Sequence, residues 1–85
     1  MTPASQPDPR AYILLAALIR DQITSGEIEG AARLPPMGEM MRKHQHSRQT
    51  VGKAMRILEG DGLIYRVPGL GYFASVLDRA RGRPG

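Results

Sequence analysis

Residues 47–59 read SRQTVGKAMRILE, and this stretch decides the fold. On a helical wheel Val51, Ala54, Met55 and Leu58 share one face at the three-and-four spacing of a buried stripe, while Arg48, Gln49, Gly52, Lys53 and Arg56 gather on the other. Ser47 stands where a helix cap belongs, because its hydroxyl can accept from the free amides of the first turn, and Gly60 and Gly62 mark the stop. The result is a helix with a core side and a basic side. Its outward face opens with Arg48, Gln49 and Thr50, and such residues suit base edges, since arginine forks onto guanine and glutamine onto adenine. Taken alone, the segment fits an ordinary surface helix with solvated charges better than a reading helix.

The residues just before it sharpen the choice. Pro35 and Pro36 suit a helix start and cannot sit inside a helix, so a short helix is expected from about Pro36 to His44. Met40 and Met41 give it apolar contacts, and Arg42 and Lys43 place basic groups near its carboxyl end, where the helix dipole favours them. Two helices separated by Gln45 and His46 form a helix-turn-helix. Between Glu39 and Glu59 the chain carries Arg42, Lys43, Arg48, Lys53 and Arg56 and no acidic residue, which predicts an electropositive face. On that face Arg42, Lys43, Lys53 and Arg56 are the expected phosphate contacts.

Further upstream, a first helix is expected from about Pro9 to Ser25, capped by Asp8 and ended by Gly26, with Tyr12, Leu15, Ile19 and Ile23 as its core stripe. Leu14 and Leu18 lie on its flank, with Ile13 and Ala17 further round. This is more apolar surface than a small three-helix domain needs; it fits either a generous core or a surface for a second subunit or a missing partner domain. Arg33 and Leu34 are short enough for only a minimal strand. Downstream, Leu63 to Val67 and Tyr72 to Val76 read as two strands around the turn from Pro68 to Gly71, a hairpin placed as the wing of a winged helix. Gly69 and Gly71 either close the turn or also allow close approach to a phosphate.

Composition bounds the remainder. The chain has 85 residues, 41% of them hydrophobic, with no Trp, one Phe and no Cys. One small domain with an aliphatic core and no disulfide support follows. The formal net charge of +4 favours a polyanionic partner. No apolar run approaches the roughly 18 residues of a membrane span, and the opening residues lack the basic region of a signal peptide, so a cytoplasmic protein without a membrane partner is expected. Residues 1–8 read as a disordered arm, 9–76 as the folded domain and 77–85 as a basic flexible tail or linker. His44 and His46 have neither an acidic partner nor a Cys nearby. No catalytic residues, no metal and no cofactor are expected, and the chain is not read as an enzyme.

The pieces in this order resemble the winged helix-turn-helix domain of the GntR family of bacterial transcription regulators. The resemblance spans Tyr12 to Ala74 and rests on Leu34-Pro35, Ser47-Arg48 with Thr50-Val51, Leu58-Glu59, Gly62 to Ile64, and Gly69 with Gly71. It implies a mainly α fold of three helices plus a two- or three-stranded antiparallel wing. It further implies double-stranded DNA as partner, base contacts from Arg48, Gln49 and Thr50, Ser47 as cap and phosphate contact, and Gly69 at the wing tip. Repression by occupying an operator, and a homodimer to match a symmetric operator, are the family's usual behaviour. The chain departs from the family pattern at Gly38 and Gly52, where members often carry Arg or Lys, at Pro36, and at Gln45 and His46 in the turn.

Family members usually add a larger effector-binding and dimerising domain, which this chain lacks. Both an independent short repressor, favoured by the initial Met and the apolar first helix, and an excised domain fit. The competing reading is a winged helix used for protein contact, with RNA binding behind it for want of an aromatic stacking platform.

Overall fold

The computed structural model describes residues 9–77. Its elements are α1 (Pro9–Thr24), α2 (Met37–His44), α3 (Arg48–Gly60), β1 (Ile64–Val67) and β2 (Gly71–Ala74). The arrangement is a winged helix-turn-helix, mainly α with a small antiparallel wing. The expected cap at Asp8, the arm before it and the tail after Leu77 lie outside the described residues.

Each helix ends for a local reason. At the end of α1 Gly26 takes φ +90°, and the Ile28 amide returns to donate to the Gln22 carbonyl at 2.8 Å. The second helix begins one residue later than expected, because Pro36 remains extended (φ −61°, ψ 160°) as its cap while its carbonyl accepts from the Met40 amide at 2.9 Å. No side chain caps it. At its other end Gln45 adopts the left-handed conformation (φ 57°, ψ 47°), which lets the His46 amide reach the Met41 carbonyl at 3.1 Å. This left-handed residue makes the turn of the helix-turn-helix. The third helix runs one residue past Glu59 and is closed by Asp61, with Gly62 at φ +77° turning the chain into the wing.

The wing pairs Ile64 with Ala74, Tyr65 with Phe73, Arg66 with Tyr72 and Val67 with Gly71. Both strands are shorter than their apolar runs, since Leu63 and Ser75 keep one further bond, at 2.9 Å, without full pairing. The other edge of β2 is covered by residues 31–34. Arg33 bridges Phe73, the Leu34 amide donates to the Tyr72 carbonyl at 2.9 Å, and the Ala74 amide donates to the Ala32 carbonyl at 2.8 Å. This is the minimal strand expected at Arg33 and Leu34, reduced to a bridge because Pro35 ends it.

A single aliphatic core joins the elements. Leu15, Ala16, Ile19 and Ile23 of α1 meet Val51, Ala54, Met55 and Leu58 of α3, closed by Leu34, Met40, Ile64 and Ala74. All four residues of the expected α3 stripe are buried. Tyr12 is only half-buried at the margin, and Ala16 takes a place in the core that the expected α1 stripe omitted. Ile13, Leu14 and Leu18 remain 53%, 67% and 45% exposed. The generous-core reading therefore does not account for them within one chain.

Candidate nucleic-acid interface

Packing of one face of α3 against α1 fixes which residues it can present. Arg48, Gln49 and Arg56 are exposed, and no core contact competes for them. Thr50 behaves otherwise. It is 3% exposed, so the expectation that it faces outward beside Gln49 is corrected. The cause is helical geometry: two residues after Arg48 the wheel has turned past the exposed face to the side against the core. The Ser47 hydroxyl accepts from the Thr50 amide at 3.1 Å and donates to the Thr50 hydroxyl oxygen at 3.1 Å. Thr50 thus completes the helix cap, a role its exposure allows, whereas base contact is not open to it in this geometry. Ser47 itself stays exposed at the same end of the helix.

The two sides of the exposed strip differ. Lys53 is half-buried, with its ammonium 5.3 Å from the centre of the Tyr12 ring, a cation–π contact that draws it toward α1. On the opposite side Val51 and Met55 line a cavity with Leu34, Pro36, Met37 and Tyr72, so the α2 entrance and the wing border α3 there. Arg42 and Lys43 are exposed in the last turn of α2, and one terminal nitrogen of Arg42 lies 3.9 Å from where a Cβ on Gly38 would stand. The Arg42 guanidinium therefore reaches back over the glycine. At Gly52 a Cβ would meet nothing within 4 Å, so that departure leaves open surface on the exposed strip.

The wing turn joins β1 to β2. Gly69 is exposed with φ +83°, and the Leu70 amide donates to the Val67 carbonyl at 2.9 Å. A side chain at Gly69 would be strained whatever the space available. Tyr65 and Phe73 stack with ring centres 5.8 Å apart on the hairpin, which accounts for these aromatics within the wing. An acidic group near the carboxyl end of α3 is neutralised: Arg20 of α1 donates to Asp61 at 2.8 Å. Sequence reading did not anticipate that pair, because its partners stand far apart along the chain. Arg33, expected only in a minimal strand, borders the wing.

His44 is half-buried at the end of α2, and burial, then the charges of Lys43 and His46, holds its imidazole below the ordinary 6.5. No group of three or more His, Cys, Asp or Glu side chains comes together as a metal site among the described residues. No helix among them is long and apolar enough to cross a membrane.

Known bacterial regulators share this fold. The chain is 34% identical over 64 residues to the histidine utilization repressor of Pseudomonas aeruginosa, covering 75% of this chain and 26% of that protein. Against the transcriptional repressor NagR of Bacillus subtilis the identity is 36% over 64 residues, with the same coverage of 75% and 26%. The chain thus spans about a quarter of the length of these relatives. Among solved structures, the AraR DNA-binding domain in complex with operator ORE1 superposes with a TM-score of 0.74 at 31% identity, over 88% of this chain and 83% of that one. A GntR family regulator from Listeria monocytogenes gives 0.76 at 26% identity, over 94% and 67%. The family model of bacterial regulatory proteins, gntR family, matches residues 12–73. That span takes in most of α1, all of α2 and α3 and nearly the whole wing, and on this ground the chain belongs to the GntR family of bacterial regulatory proteins.

Proposed function

We propose that this chain is a sequence-specific DNA-binding unit of a cytoplasmic transcription regulator, acting as a repressor by occupying its operator. One observation carries the reading: the fold superposes on a domain solved on its operator, with Arg48 and Gln49 exposed at the start of the helix that carries the basic face. Arg48 and Gln49 read base edges in a major groove. Ser47, Arg42, Lys43 and Arg56 hold phosphates, Lys53 adds charge from its place over Tyr12, and Gly69 brings the wing backbone against the duplex. No catalytic step is involved.

The exposed Ile13, Leu14 and Leu18 support a homodimer through the outer face of α1, which would match a two-fold operator. The test is selection of bound sequences from a random DNA pool, repeated at low and physiological salt. A short two-fold symmetric motif, with affinity falling log-linearly with salt, is the expected result. Retention without any recovered motif would reduce the chain to a nonspecific binder, and indifference to salt would favour a winged helix used for protein contact.

A further inference from the structure

Arg33 is exposed, and nothing in the basic run of 39–59 includes it. It belongs to the segment hydrogen-bonded along β2, through its bridge to Phe73 and the flanking bonds of Ala32 and Leu34, so its backbone is fixed to the wing. Its guanidinium lies along the base of the wing turn: a Cβ on Gly71, where φ is +112°, would stand 3.7 Å from Nε and 3.8 Å from Nη2. No ion pair or hydrogen bond engages this side chain among the described residues. It also shares a cavity wall with Met37 at the start of α2 and with Val51 and Met55 of α3. On the helical wheel these last two adjoin Arg48 and Gly52. Arg33 therefore occupies the gap between the exposed strip of α3 and the wing turn. A duplex that receives α3 in its major groove and the wing beside it must pass a sugar-phosphate strand across that gap.

From this placement, and resting on the DNA-binding reading above, we infer that Arg33 is a phosphate-positioning residue that sets the register of the wing and α3 on the duplex. A planar guanidinium held at the wing base, with no acidic partner among the described residues, suits two parallel bonds to phosphate oxygens. It complements Lys53, which the Tyr12 ring holds toward the α1 side of the same helix. Arg33 carries no base readout, since it reaches the duplex at the strand rather than inside the groove.

The experiment measures binding of the full chain, and of its Arg33→Gln and Arg33→Lys variants, to the selected duplex and to a random duplex across a salt series. For Arg33→Gln the expected result is a loss of roughly five- to tenfold on both duplexes, with the log–log salt slope smaller by about one. Arg33→Lys should keep the slope, because the charge remains, and recover only part of the affinity, because an ammonium does not reproduce the two parallel bonds. Three results would overturn the inference while leaving DNA binding standing: unchanged affinity and slope in Arg33→Gln; a loss confined to the selected duplex, which would mark base readout; or equal losses in both variants together with a lowered unfolding midpoint, which would mark a structural role. Failure of the unmodified chain to bind either duplex at any salt would overturn the DNA-binding reading itself, and the inference with it.

Discussion

The first and third helices pack on each other across the centre of the core, yet their outer surfaces have opposite chemistry. Outside its buried stripe α3 presents Arg48, Gln49, Gly52 and Arg56, whereas α1 presents Ile13, Leu14 and Leu18. Both inner faces satisfy the same requirement, removal of aliphatic side chains from water, and both do so fully. The outer faces are free of that requirement, so their difference reports what each one meets. From Arg48 to Arg56 every charge on the α3 strip is basic, with Glu59 exposed only in the last turn, and such a strip suits a polyanion; an apolar strip like that of α1 suits another apolar surface.

The largest effect tests what the two helices share. Leu58 is 0% exposed, and Leu58→Ala should cost about 2 to 5 kcal/mol of stability by opening a cavity on the α1–α3 seam, measured by denaturant unfolding. Next comes the α3 surface. Arg48→Ala should weaken the selected sequence by roughly 1 to 3 kcal/mol and relax preference at one base position, with folding unchanged; equal losses on selected and random DNA would remove its role as a reader.

A smaller effect of opposite sign is expected at Gly52, where a Cβ meets open space inside a helix. Gly52→Ala should stabilise folding by about 1 kcal/mol, seen as a raised unfolding midpoint. The α1 surface should respond differently again. Leu14→Glu with Leu18→Glu should shift stability of the isolated fold by within about 0.5 kcal/mol each, since neither side chain is buried, while lowering the mass in light scattering from dimer to monomer. A monomeric mass before substitution would break the contrast between the two helices.

The smallest effect is one of pH. The folded state holds the His44 imidazole below 6.5, so the unfolded chain binds more protons between the folded value and 6.5. Its contribution to stability is present in full above 6.5, is lost as pH falls toward the folded value and levels off below it. His44→Gln should flatten that part of the profile, checked by unfolding midpoints on either side of 6.5.

Periodicity and local chemistry were enough to place the helices within a residue or so of their ends, because caps, prolines and glycines act on their own neighbours. Ser47, Gly26 and Gly62 do so in the structure as the sequence suggests. The α3 stripe and the hairpin were legible for the same reason, and so was the basic face as a set of residues. Tertiary structure alone decided what the residues on and around that face can reach. Thr50 is drawn inside by its place on the wheel and its bond with Ser47, Lys53 is held over Tyr12, Asp61 is paired by Arg20, and Arg33 is brought beside Gly71. Each of these depends on contact with a distant segment or on the direction in which a packed helix turns its side chains. A one-dimensional pattern records spacing within an element; which side of that element is covered, and by what, is set only when the elements pack.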